Sequence, residues 1–369
     1  MLQNKTYILN KPLKINTYAK VNFYLDILKK MPNSYHEILT LFSTLELSDN
    51  ICFYLSKNDL SSDFILKQFK IQFEKPVSGI INMQNEKLKL TFISDEEYEK
   101  CFFAPLDTQN SVYVAIKKML ASCSISSLDE EYNLYVIFQK NIPAGAGLAG
   151  GSSNAAGALI ALNNLLQLNC GIEKLKEIGL KVGADVPYML EGGTLLAGGT
   201  GEDFLSKYDI PQYPIILVYP NFEVSAKDAY TNVQNHFKYD LMNITDEQYE
   251  KIRKHSLGRA EKLIHALNCK DYPAVCKMLY NKLEEPVFTR KHQIRELKEN
   301  ICKLGFQAVL MSGSGSTIYT VLDPSASEET IKSQFNKLET EIHKKYSKTY
   351  KVILTKTRKA IAWDKMLAL

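Results

Sequence analysis

Between residues 145 and 157 the chain places five glycines and two serines. The run reads Gly145, Ala146, Gly147, Leu148, Ala149, Gly150, Gly151, Ser152, Ser153, Asn154, Ala155, Ala156 and Gly157. Leu148 is its one large side chain, so the segment presents mainly backbone. It links two patterned stretches. Tyr132–Gln139 is rich in aromatic and branched residues and reads as a strand. Beyond the run, Leu159, Leu162 and Leu166 fall on one face of a helix. Glycines at such a strand-to-helix link let the backbone approach an anion closely. The first N–H groups of the helix are unpaired and point at it, and the helix dipole favours negative charge. Ser152, Ser153 and Asn154 add donors and caps where the helix begins. A tight connection needs fewer glycines than this, so the segment reads as a phosphate-binding loop.

Three well-known phosphate loops do not fit. Gly145, Gly147 and Gly150 match G-x-G-x-x-G, but Lys140–Ala144, with Pro143, separates them from the strand. The stretch 160–182 reads helical, so no following strand presents an acid to a ribose. A P-loop needs a lysine where Gly151 stands. The H-R-D and D-F-G companions of a protein kinase are absent.

The rest of the chain sets the frame. Its 369 residues suggest about two domains. With 45 basic and 41 acidic side chains the net charge is +4, too small to argue for nucleic acid. No apolar run approaches the roughly 20 residues a membrane helix needs, and the N-terminus has no secretory apolar region. The seven cysteines include no C-x-x-C pair, which excludes a zinc knuckle and a thioredoxin-like motif. They are expected as reduced, mostly buried thiols.

Residues 15–28 read as a strand, Met31–Ser34 as a turn and Asn50–Leu55 as a short strand. The polar stretch 56–109 fits several strands with long loops. Asn110–Leu120 has helical spacing at Val112, Ile116, Met119 and Leu120, with Asn110 or Ser111 as N-cap. A helix from Ile172 carries Leu175, Ile178 and Val182, with Gly183 as its expected C-cap. Pro214–Tyr219 reads as a buried strand. Residues 226–305 read helical, which puts a domain boundary near 205–215. Thr317–Val321 and Tyr350–Thr355 read as strands on either side of a charged helix over 325–347.

Three motifs in order give the chain a resemblance. The stretch Pro143–Ala156 resembles the signature loop of GHMP-type small-molecule kinases. Ala19, Lys20, Val21 and Asn22 match a second motif near the N-terminus, and Met311–Gly315 (Met-Ser-Gly-Ser-Gly) a third toward the C-terminus. Ser34, Tyr35 and His36, followed by Glu37–Phe42, stand where the 4-diphosphocytidyl-2-C-methyl-D-erythritol kinase branch carries G-Y-H. Gly183–Pro187 is similar to that branch too. The match spans about residues 13–355 and is poor over 56–108, where an insertion is expected.

The resemblance implies an α+β, two-domain GHMP kinase fold. A ribosomal-protein-S5-like N-terminal domain would take residues 1–210, and a ferredoxin-like C-terminal domain residues 211–369. It implies ATP as co-substrate, Mg²⁺ on the phosphates, and transfer to the 2-hydroxyl of a cytidine-diphosphate methylerythritol in non-mevalonate isoprenoid synthesis. Asp185 would be the base and Lys20 its partner. Lys20 would keep the carboxylate ionised and polarise the hydroxyl. Asn22, two residues along the strand from Lys20, shares its face and would meet substrate. Tyr35 and Tyr230 would stack on the cytosine and His36 would bond its edge. Gly313 and Ser314 would close over the substrate diphosphate. ATP would lie against Asn110, Lys140, Pro143, Ala144, Gly145, Ala146, Gly147, Leu148, Ala149, Gly150, Gly151, Ser152 and Ser153. No metal ligand is assigned. The expected partners are small molecules, not nucleic acid or membrane. The setting is a bacterial cytoplasm or a plastid-type organelle, and the chain is a monomer or homodimer. A homoserine or mevalonate kinase-like enzyme, and a non-catalytic binding protein of the same fold, are the other readings.

Overall fold

The computed structural model describes residues 7–96, 105–231, 233–237, 240–361 and 363. The strands are β1 (Leu13–Lys30), β2 (His36–Ser56), β3 (Pro76–Met83), β4 (Leu88–Asp95), β5 (Tyr132–Gln139), β6 (Thr194–Gly198), β7 (Asp203–Tyr208), β8 (Pro214–Tyr219), β9 (Tyr280–Asn281), β10 (Ala308–Met311), β11 (Ile318–Val321) and β12 (Lys351–Lys356). The helices are α1 (Ser62–Phe69), α2 (Ser111–Ser122), α3 (Gly150–Leu165), α4 (Ile172–Leu180), α5 (Val186–Glu191), α6 (Ala226–Thr231), α7 (Asp246–Asn268), α8 (Tyr272–Met278), α9 (Glu284–Arg290), α10 (His292–Lys303) and α11 (Glu328–Lys345).

Two sheets organise these elements. The larger runs β3-β4-β5-β2-β1-β9, with β6 on β2 and β7 on β6. The smaller runs β10-β11-β8-β12. Sheet membership changes between Tyr208 and Pro214, and β9 alone returns to the larger sheet. Ile15, Phe53, Leu134 and Val136 bury one face of the larger sheet against Val112 of α2, Leu159 and Leu162 of α3, Ile178 of α4 and Met189 of α5. Ala19, Val21 and Phe23 pack toward Tyr213, Leu217 and Tyr319 of the smaller sheet and Leu263 of α7. The smaller sheet's other face holds Ile216 and Val218 against Leu297, Ile301, Leu338 and Ile342 of α10 and α11. Among the described residues no helix is long and apolar enough to cross a membrane.

Most expected elements are present, with four corrections. The strand at Asn50–Leu55 is the last third of a 21-residue strand. Its first part is interrupted by buried Ser43 and Thr44, which break the apolar alternation. The stretch 56–109 holds a helix, α1, as well as strands. It is only eight residues long, and its C-cap is Lys70 at φ +55 rather than a glycine, so the usual stop signal is missing. Gly183 is not the C-cap of α4. That role falls to Lys181 in a right-handed conformation, and Gly183 bonds back to Gly179 at 3.0 Å in the turn that leads to Asp185. Of the described cysteines only Cys52 is buried, while Cys269 and Cys302 are exposed. Cys269 ends a surface helix and Cys302 lies on the solvent side of α10. Cys101 lies outside the described residues.

Candidate active site

The glycine loop is held at its entry by a residue the motifs did not reveal. Asp49 of β2 is fully buried. It accepts the backbone N–H groups of Asn141 at 2.7 Å and Ile142 at 2.8 Å, and pairs with the Lys140 ammonium. Lys140 is 3% exposed, so the structure gives it a place beneath the loop. The loop then takes left-handed steps at Gly145 (φ +58), Gly147 (φ +74) and Ala149 (φ +56). A Cβ on Gly147 would fall 2.0 Å from the Ser312 carbonyl oxygen, so only glycine fits there.

The loop runs into α3, and Ala149 at its N-cap offers no side-chain bond. The first helical bond is from Ser153 N–H to Ala149 at 2.9 Å. This leaves the N–H groups of Gly150, Gly151 and Ser152 outside the helical ladder. Ser153 Oγ is buried with no hydrogen-bond partner. Asn154 instead turns inward and accepts from the Thr17 hydroxyl at 2.7 Å. The start of α2 abuts the same point. Asn110 caps it by accepting from Val112 N–H at 2.9 Å, and the Ser111 hydroxyl donates to the Gly151 carbonyl at 2.7 Å. Two helix N-termini therefore converge beside the loop, where their dipoles add.

Lys20 and Asn22 lie on β1 between two irregularities of its register with β2, at Tyr18/Lys20 and Asn22/Tyr24. Bulges of this kind re-aim side chains and free backbone groups. The freed groups bond elsewhere: Lys20 N–H donates to Leu148 in the loop at 3.1 Å, and Tyr319 of β11 donates to the Asn22 carbonyl at 2.8 Å. The Lys20 ammonium is buried and donates to Asn22 Oδ1 at 2.8 Å. Asn22 in turn donates to Thr40 at 2.8 Å. Asp185 Oδ2 lies 3.8 Å from Lys20 Nζ. Asp185 occupies the N-cap of α5, yet its side chain makes no capping bond, and it is 35% exposed. Burial pushes the Lys20 ammonium below its usual range, and the Asp185 charge opposes that.

A second glycine loop, 311–316, covers this pair. The Ser312 hydroxyl donates to Gly147 at 2.8 Å, and Thr317 N–H to Ala146 at 3.3 Å. A Cβ on Gly313 would lie 3.2 Å from Lys20 Nζ and 3.5 Å from Asn22 Oδ1, so the chain passes directly over them. Ser314 is half-buried at its bend. Buried Asn281 of β9 clamps the loop, donating to the carbonyls of Met311 and Gly313, both at 2.8 Å. Glu284 accepts Met311 N–H at 2.9 Å and pairs with Lys298. Neither residue was found from sequence, since both sit in a Lys/Glu-rich helical stretch without a local signal.

The aromatic group is only partly assembled. His36 and Tyr230 stack with ring centres 5.2 Å apart at 21°. Tyr35 stands in the hairpin turn and is 63% exposed, beside Ser34 at φ +69 where glycine would be unstrained. The structure thus joins His36 to Tyr230 and leaves Tyr35 apart. Burial raises the Tyr230 phenol above its usual range and the Asp185 charge adds to this, so the aromatic pair and the carboxylate share one neighbourhood. Burial, then Lys30, holds His36 below the usual imidazole range.

This geometry agrees with the comparisons. The family model described as GHMP kinases N terminal domain matches residues 110–193, and that described as GHMP kinases C terminal matches residues 249–339. A 4-diphosphocytidyl-2-C-methyl-D-erythritol kinase of Clostridium perfringens is 33% identical over 312 residues, 84% of this chain and 89% of that protein. The chain belongs to the GHMP kinase family. It is a kinase of the branch that this relative represents. The fold alone does not pick the branch. A crystal structure of 4-(cytidine 5'-diphospho)-2C-methyl-D-erythritol kinase superposes with a TM-score of 0.61 at 22% identity, covering 94% of this chain and 99% of that one. L. major mevalonate kinase in complex with R-mevalonate gives 0.64 at 12% identity, covering 97% and 100%.

Proposed function

We propose that this kinase transfers the γ-phosphoryl group of ATP to the 2-hydroxyl of 4-diphosphocytidyl-2-C-methyl-D-erythritol, a step of non-mevalonate isoprenoid synthesis. One observation carries the mechanism: Asp185 stands at a helix N-cap without capping it, and a buried lysine lies 3.8 Å from its carboxylate. A carboxylate kept out of the cap is available to a proton. It would accept the hydroxyl proton as the oxygen forms its bond to the γ-phosphorus. The β–γ bridging P–O bond then breaks, and ADP leaves. Such transfers depend mainly on positioning and charge neutralisation. Lys20 would offset the developing negative charge, with Asn22 Oδ1 accepting from the ammonium.

The open N–H groups at Gly150, Gly151 and Ser152, with the second helix start at Ser111, would take the ATP phosphates. Among the described residues no group of three His, Cys, Asp or Glu side chains is placed to hold a metal. Magnesium, when bound with ATP, would supply neutralisation of the phosphate charge. Ser153 Oγ, buried and unpartnered, is the protein oxygen that fits it. The loop at Gly313 and Ser314 would approach the substrate diphosphate from above Lys20. Tyr230 and His36 would face the cytosine, and Tyr35 would swing from solvent to complete the stack.

We further propose that the chain divides near residue 210, and that the enzyme works in the cytoplasm, as its curated relatives are bacterial. The deciding experiment is ADP release from ATP with the cytidyl substrate, homoserine and mevalonate in parallel. ADP formed only with the cytidyl compound supports the proposal. ADP formed only with homoserine or mevalonate keeps the loops and overturns the cytosine site.

A further inference from the structure

Away from the site, two cysteines distant in sequence meet. The Sγ atoms of Cys123 and Cys170 lie 3.6 Å apart. Both are half-buried. We propose that Cys123 and Cys170 form a reversible intramolecular disulfide when the enzyme meets a small-molecule disulfide oxidant.

The backbone holds both partners in place. Cys123 is the C-cap of α2, with its N–H bonded to Met119 at 3.0 Å. Cys170 sits in the α3–α4 link, gripped twice by Asn163: its N–H donates to Asn163 Oδ1 at 2.9 Å and its carbonyl accepts from Asn163 Nδ2 at 3.0 Å. The sulfurs must close from 3.6 Å to about 2.05 Å. Closure takes rotation and a shift of the two side chains. Cys170 also precedes the N-cap of the nine-residue α4.

The chemistry balances without a protein-bound cofactor. The Cys170 thiolate attacks one sulfur of the oxidant RSSR, forming a mixed disulfide and releasing RS⁻. The Cys123 thiolate attacks the Cys170 sulfur of that mixed disulfide and releases the second RS⁻. The two cysteine protons end on the two RSH molecules, and the oxidant is reduced by two electrons. The closed loop, residues 123–170, contains β5, the glycine loop and α3. It ties together the far ends of α2 and α3, whose near ends meet at Ser111 and Gly151.

The test uses the folded full chain and oxidised glutathione. Thiols titrated after unfolding in denaturant should fall from seven to five, with a mass loss of two hydrogens. Non-reducing digestion should yield one linked peptide pair containing Cys123 and Cys170. The oxidised enzyme should melt about 5 °C higher, and dithiothreitol should reverse the shift. Cys123→Ser should stop at a stable glutathione adduct on Cys170. Retention of both thiols, separate glutathione adducts on each in the wild type, linkage through other cysteines, or an oxidised form that melts no higher would each overturn the proposal.

Discussion

Gly147→Ala tests whether the two glycine loops must touch for catalysis. The new methyl would sit 2.0 Å from the Ser312 carbonyl oxygen and 3.0 Å from that of Gly315. Real contacts do not fall below about 3 Å, so the 311–316 loop must retreat by about 1 Å. The backbone at φ +74 adds about 1–2 kcal/mol of strain for a residue with a Cβ. The retreat breaks the bonds from Ser312 to Gly147 and from Thr317 to Ala146, at about 1 kcal/mol each. The expected loss of stability is therefore about 3–4 kcal/mol, read as a lower denaturation midpoint. The larger effect is on rate. Gly313 passes directly over Lys20 and Asn22, and a 1 Å misplacement of such a group costs about 100-fold. Steady-state ADP release should show kcat/KM down about 100-fold at a temperature where the variant is fully folded. Gly258→Ala is the control: it lies within α7 with no atom within 4 Å of the added methyl. It should keep full activity and gain about 0.5–1 kcal/mol of stability. A Gly147→Ala enzyme with kcat/KM within threefold of wild type would refute the reasoning, because the loops would then tolerate separation.

Asp185→Asn should lower kcat by about 10²–10⁴, the usual worth of a general base, with substrate KM little changed. Its melting temperature should not fall, since the side chain caps nothing; a large fall would assign Asp185 to the fold instead. Asp49→Ala should destabilise the chain by about 3–5 kcal/mol by stranding the buried Lys140 charge. Denaturant melts should show the Asp49→Leu/Lys140→Met double variant losing less than either single change, and an additive loss would count against the pair. His36 is held neutral below its usual range, so the unfolded chain takes up that proton first as pH falls. Stability from this group is present above pH about 6.5 and declines below it. His36→Gln should flatten that part of the melting profile, and an unchanged profile would show that other groups set it.

The parts of the site that were legible in the sequence are those whose constraint is local. A backbone that must approach phosphate needs consecutive small residues, so the 145–157 run shows it directly. Lys20 and Asn22 were legible through the motif that resembles the family's, and strand alternation puts them on one face. What escaped is support from far along the chain. Asp49 is 92 residues from the N–H group it accepts at Asn141, and Asn281 is 32 from the carbonyl it clamps at Gly313. No pattern within a helix or strand marks such a residue, because the partner that explains it belongs to another element. The resemblance grouped His36 with Tyr230 in one site, but their direct stacking was not legible for the same reason. Each residue alone fits ordinary packing, and only the fold brings the β1–β2 hairpin to α6.

The order of the larger sheet explains where the chain could change most freely. Reading β3-β4-β5-β2-β1-β9 across the sheet, the chemistry lies toward the β1–β9 end. There β1 carries Lys20 and Asn22, and β9 carries the clamp on the second loop. The stretch 56–109 contributes β3 and β4 at the opposite edge and α1 on the face away from α3. Its strands join the sheet through β5, whose parallel pairing with β4 runs from Tyr132 to Ile137 and stops before Lys140. Added strands there extend the hydrogen-bond ladder without moving the glycine loop. The β1–β9 end has no such latitude. Asn281 pairs with Leu25 in the sheet while its side chain grips the 311–316 loop. A shift of one residue in that two-residue strand would turn the amide to the other face and release the loop from above Lys20.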